Sequence, residues 1–171
     1  MAPVLLNQGI DICPTVTDSI DVELRNITTY SVVASTRVLL QTNGNAYCRF
    51  PDLNGNYYIV IKHKNAFQTW SQLPVPLSTA GVTTYDFSLA ANKPYGDNMV
   101  QIENGFWAFY SGDLNFDENA DLIDLGLVEQ DINDFAFGYK TSDLNGDGNV
   151  DLLDSPVIET NITNFIFSVH P

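Results

Sequence analysis

The sequence predicts an antiparallel β-sandwich followed by a small α-helical unit made of two loop–helix repeats. Three observations lead there. Short apolar–polar alternations separated by turn residues run through residues 16–110. A twelve-residue segment rich in Asp and Asn occurs at Asp113–Asp124 and again at Asp143–Asp154. The charge is also divided unevenly: residues 106–171 hold 13 acidic residues and one basic residue, net −12, whereas residues 1–105 are at net −2. We therefore expect an N-terminal extended segment (1–15), a β-sandwich (16–110) and a cation-binding unit (111–171).

The N-terminal stretch Ala2–Ile12 is apolar, with Pro3, Val4, Leu5, Leu6, Ile10 and Ile12, and reads as extended. It serves either as the first strand of the sandwich or as a strand donated to the exposed sheet edge of a neighbouring molecule. Ser19–Asn26 alternates, with Ile20, Val22 and Leu24 on one face and Asp21, Glu23 and Arg25 on the other. Val38–Thr42 and Ala46–Phe50 flank Asn43-Gly44-Asn45, a hairpin signal. Tyr57–Lys64 is expected as a strand after a turn at Asp52–Asn56. Gln72–Leu77 and Val82–Ser88 read as two more, and Met99–Ile102 with Phe106–Tyr110 as a closing hairpin over Glu103-Asn104-Gly105. Cys13 and Cys48 are either a disulfide stapling the N-terminal segment to a strand, for about 3–4 kcal/mol, or two buried thiols.

The repeated segment carries the chemistry. The first copy reads Asp113-Leu114-Asn115-Phe116-Asp117-Glu118-Asn119-Ala120-Asp121-Leu122-Ile123-Asp124, and the second Asp143-Leu144-Asn145-Gly146-Asp147-Gly148-Asn149-Val150-Asp151-Leu152-Leu153-Asp154. Both place oxygen-bearing side chains at loop positions 1, 3, 5, 9 and 12, with a backbone carbonyl at position 7. Ca²⁺ takes 6–8 oxygens at about 2.3–2.6 Å, and this spacing wraps one loop around one ion. Position 6 needs a positive φ. Gly148 meets that demand, whereas Glu118 takes it at a cost of about 1 kcal/mol or more, so the first loop is expected to bind more weakly. Beyond each loop, Val128, Ile132 and Phe135 share one helical face, as do Ile158, Ile162 and Phe165. Pro156 falls in the first turn of the second helix, where its missing N–H costs nothing. One unit alone cannot bury such a stripe; two can bury theirs together.

Over residues 111–169 this arrangement resembles a dockerin, the calcium module that docks secreted bacterial proteins onto cohesins. The resemblance implies two Ca²⁺ ions, two antiparallel loop–helix units with pseudo-twofold symmetry, and a protein partner. By position, the implied ligands are Asp113, Asn115, Asp117, Asn119, Asp121 and Asp124, then Asp143, Asn145, Asp147, Asn149, Asp151 and Asp154. Dockerins carry a small polar recognition pair at loop positions 10 and 11. Here those positions hold Leu122-Ile123 and Leu152-Leu153. Either the partner is more apolar than a familiar cohesin, or these side chains pack on the rest of the chain. Gly55-Asn56-Tyr57-Tyr58-Ile59-Val60-Ile61 looks like a strand of transthyretin-like or carboxypeptidase-regulatory-like sandwiches, an Ig-like architecture. The pairing resembles the C-terminal ends of secreted bacterial surface proteins.

These readings point to a non-catalytic, extracellular calcium module that mediates attachment. A filament or surface-assembly subunit is the alternative from the N-terminal stretch. A calcium-stabilised carbohydrate-binding module is the alternative from Trp70, Tyr57, Tyr58, Trp107 and Tyr110. Net charge −14 argues against nucleic acid, which needs Lys/Arg clusters. No run of about 18 apolar residues is present to span a membrane. Met1–Leu6 is too short for a signal peptide, so the chain reads as a mature or excised segment of something longer. No Ser or Cys has a base and an orienting partner in the sequence. His63 reads as a packed or edge histidine in phase with Ile59 and Ile61, and His170 as a disordered or capping terminal residue.

Overall fold

The computed structural model describes residues 1–102 and 105–171. Their architecture is mostly antiparallel sheet with a few short helices. In chain order the elements are α1 (Val4–Asn7), β1 (Val16–Asn26), β2 (Val32–Gln41), β3 (Gly55–His63), β4 (Ala66–Trp70), β5 (Val75–Leu77), β6 (Val100–Gln101), β7 (Trp107–Ala108), α2 (Leu122–Asn133) and α3 (Ser155–Thr163). The main sheet runs β2-β1-β3-β4, with β5 beside the first half of β3 on the β4 edge; β6 and β7 make a separate two-stranded ribbon.

β1 is the strand that its alternation predicts, and it lies between β2 and β3. Ile20 and Val22 pack with Ile61 against Val38, Leu40, Ile59, Phe50, Phe87 and Phe109. The polar residues between them pair across strands: Arg37 forks onto Asp21, its register partner on β2, at 2.8 and 2.6 Å, and Lys62 reaches Glu23 at 3.0 Å. On the opposite face Trp70 is only 2 % exposed, edge-on to Tyr30 and Tyr58, with the Arg25 guanidinium 4.8 Å from its ring centroid. A ring so enclosed is no platform for a sugar.

Several expectations are corrected. Residues 47–50 form no strand; Ala46 makes a single bridge to Leu40. Val82–Ser88 is not a strand either. Asp86 accepts from the Ser88 N–H at 2.8 Å and turns Phe87–Leu89 into a short 3₁₀ helix, and Tyr85 stacks edge-on to Phe87 at 4.8 Å. Of Gln72–Leu77, only Val75–Leu77 is strand. β4, which the alternation does not signal, is buried on both sides. The expected closing hairpin is present as β6 and β7, with Ile102 N–H donating to Phe106 O at 2.8 Å; Glu103 and Asn104 lie outside the described residues. Ala2–Ile12 is not extended: Gln8 N–H donates to Val4 O, and Ile10 and Asp11 N–H to Leu5 O, which closes a helical turn over the buried Leu5. Both cysteines are free, and Cys13 Sγ sits 3.2 Å from Thr15 Oγ1.

The two C-terminal helices pack on each other, as their apolar stripes require. Leu114, Val128, Val150 and Ile158 form the core, lined by Leu125, Ile132, Ala136, Leu144 and Ile162. Phe135 and Phe165 do not join it. Each helix ends two residues earlier, and each phenylalanine takes φ near +50°, which turns the ring outward. The chain then crosses to the other unit's loop: Ala120 N–H donates to Ile166 O and Val150 N–H to Ala136 O, both at 3.0 Å.

Candidate metal centre

Each loop is a cage of Asp and Asn side chains accepting backbone N–H groups, and the cage is built twice. Asp124 Oδ1 accepts from Leu114 and Asn115 N–H, and its Oδ2 from Asp121 N–H. Asp154 does the same for Leu144, Asn145 and Asp151. Asn115 Oδ1 accepts from Asp117 N–H and Asp117 Oδ1 from Asn119 N–H; Asn145 and Asp147 repeat both bonds. Asp121 caps α2 by accepting from Ile123 N–H, and Asp151 accepts from Leu153 N–H in the turn that leads into α3. Short acceptor side chains at alternate positions bend a chain in this way because each bonds the backbone two residues on.

All twelve sequence-predicted residues occupy equivalent places in the two cages. Positions 1 and 12 are buried, namely Asp113, Asp124, Asp143 and Asp154, while Asp117, Asn119, Asp147 and Asn149 are exposed. Asn145 is exposed as well, whereas Asn115, Asp121 and Asp151 lie between. Position 6 takes positive φ in both, with Glu118 at 74° and Gly148 at 91°. Position 4 does so too, with Phe116 at 63° and Gly146 at 77°, a demand the sequence reading did not include.

The electrostatics leave the first loop under-compensated. Burial, with the nearby charges of Asp124 and Asp117, pushes the Asp113 carboxyl up to about 6, and Asp113 Oδ1 is buried with no hydrogen-bond partner. Burial also raises Asp124, whereas the Asn115 amide holds Asp117 below the usual range. Among the described residues no three His, Cys, Asp or Glu side chains gather on one point, since the carboxylates turn to N–H donors instead. The donor set is nonetheless all oxygen, and a buried carboxylate with an orphan acceptor fits a hard divalent cation.

Residues outside the loops complete the surroundings, and no sequence pattern signalled them. Glu118 accepts from Gln68 on β4 and lies 3.1 Å from His170, which is 5.6 Å from the Trp70 ring instead of disordered. Asn65 Nδ2 donates to Asp143 O at 3.1 Å, and Asn65 Oδ1 is 2.9 Å from His63 Nδ1. His63 Nε2 is 3.0 Å from Asp18, which also accepts from Tyr139; Lys64 lies 3.5 Å from the Tyr139 ring centroid. Burial opposes charge on Asp18, but the His63 and Tyr139 hydrogen bonds outweigh it and hold the carboxyl below its ordinary value.

Leu122, Ile123, Leu152 and Leu153 are exposed, at 60–75 %. Compared with known proteins, the chain matches no family model and no curated protein.

Proposed function

We propose that the chain is a non-catalytic, calcium-dependent attachment module of a secreted bacterial protein, an Ig-like or transthyretin-like sandwich carrying a dockerin-like pair of loops. The observation that carries this reading is the twice-built oxygen cage with buried carboxylates at positions 1 and 12, one of them with an orphan acceptor. Asp113, Asn115, Asp117, Asn119, Asp121 and Asp124 would hold one ion, with Asn119 acting through its carbonyl, and Asp143, Asn145, Asp147, Asn149, Asp151 and Asp154 the other. Bound Ca²⁺ supplies the positive charge that these crowded carboxylates lack. The chain's own part is to preset the carboxylates with backbone N–H donors and to shield positions 1 and 12 from water.

The partner is a protein whose docking face has an apolar centre and a basic rim. Leu122-Ile123 and Leu152-Leu153 are exposed at repeat-related places on a unit of net charge −12, which favours such a face. Calorimetric titration of the metal-stripped chain with Ca²⁺ tests the reading. Two sites are expected, one lost in Asp113→Ala and the other in Asp143→Ala; absence of binding overturns it.

A further inference from the structure

We infer that Gln8, far outside the second loop in sequence, is a residue of that loop's cation site, so that loading the loop is coupled to the seating of residues 3–11. The inference rests on the calcium reading of Asp143–Asp154.

Asp143, the first residue of the loop, accepts from Gly146 and Asp147 N–H on Oδ1 and from Gly148 N–H on Oδ2, at 2.8, 3.2 and 3.0 Å. Gln8 Nε2 donates to the same Oδ2 at 2.8 Å. A carboxylate offers about four lone-pair sites, so Gln8 fills the last one on Asp143. Gln8 Oε1 meanwhile is buried without a partner. The carboxamide thus has its donor on an acid of the cation site and its acceptor on nothing. A half-turn about its terminal bond exchanges the two ends within one outline. That half-turn frees a lone pair on Asp143 and presents Oε1 to the loop, where a bound cation would satisfy it.

The fit around Gln8 is close. A Cβ built on Gly148 would lie 3.5 Å from Gln8 Cγ, and one on Gly146 would lie 3.4 Å from Val4 Cγ2. The bare backbone at positions 4 and 6 is therefore the surface on which the N-terminal turn rests. The turn is held from its other side as well, by the buried Leu5 and by the Met1 ammonium donating to Thr42 O at 2.8 Å. Gln8 lies on a folded element and is not a stray side chain.

The test uses the full metal-stripped chain, Ca²⁺ alone as the ligand, and the variants Gln8→Ala, Gln8→Met and Gln8→Glu. Gln8→Met keeps the length and packing but removes the oxygen; Gln8→Glu keeps an oxygen. About tenfold weaker binding is expected at one of two sites in Gln8→Ala and Gln8→Met, the site that Asp143→Ala abolishes, with recovery in Gln8→Glu. In the unmodified chain Ca²⁺ is expected to slow hydrogen exchange at the amides of Gln8, Ile10 and Asp11, and to have no such effect in Asp143→Ala. Two wild-type affinities in Gln8→Met overturn the inference and leave the calcium reading standing. A chain that binds no Ca²⁺ at all overturns both.

Discussion

The loops Asp113–Asp124 and Asp143–Asp154 share the bonds made by positions 3, 5, 9 and 12. They differ at position 1, where Asp143 accepts three backbone N–H groups and Asp113 Oδ1 accepts none, and in the residues at the turn. Positions 4 and 6 are Gly146 and Gly148 in the second, at φ 77° and 91°, and Phe116 and Glu118 in the first, at 63° and 74°. A side chain in that region costs roughly 1–2 kcal/mol. The first loop meets this cost twice and still closes, so the Asp–Asn cage is strong enough to hold the backbone against it. The glycines have a second use in the second loop: their bare surface takes the N-terminal turn and Gln8. In the first loop, the side chain that replaces glycine becomes the contact, and Glu118 reaches Gln68 and His170. Each loop is thus tied to the rest of the chain through position 6, once by a side chain it has and once by one it lacks.

The largest test of the equivalence is in the shared core. Ile158→Ala is expected to cost about 3–4 kcal/mol in urea unfolding, and Val128→Ala, which removes less, somewhat under that. A loss confined to one of them would break the symmetry. At the turns, Gly148→Ala is expected to cost about 1–2 kcal/mol, while Phe116→Gly raises stability by about 1 kcal/mol. Equal and negligible shifts in thermal unfolding would show that the cage does not force positive φ. From the sheet side, Asp18 anchors Tyr139 and His63, and through His63 and Asn65 it reaches Asp143 of the second loop. Its carboxyl titrates below its ordinary 3.8, so the unfolded chain protonates first. The stability it contributes is present above that value and is lost as the pH falls through the lowered one. Asp18→Asn is expected to remove this part of the acid limb, seen as a flatter profile of unfolding free energy below pH 4. The smallest effect on stability is at the exposed pairs: Leu122→Ser and Leu152→Ser are expected to change it by no more than about 0.5 kcal/mol.

Local patterns were readable wherever one residue's neighbours along the chain decide its place. β1 alternates because one of its faces is buried, and the two loops declare themselves because an Asp or Asn bonds the backbone two residues on. β4 was unreadable because both its faces are covered, so no alternation exists to see. Phe135 and Phe165 were misplaced for a different reason. Their spacing fits the helical face, but the chain leaves the helix so that Ala136 and Ile166 can pair with the opposite loop, a bond whose partner is remote in sequence.

The sequence by itself determined the two loops, their twelve oxygen-bearing residues, the helices that follow and the alternating strand β1, since each is a short-range consequence of hydrogen-bonding reach or period. Only the tertiary structure decided that Gln8 meets Asp143, that Gln68 and His170 meet Glu118, that Trp70 is enclosed, and that the leucines after each loop face solvent. Those outcomes depend on which surfaces remain once the sheet and the paired helices have buried their own apolar faces, and no local spacing encodes that remainder.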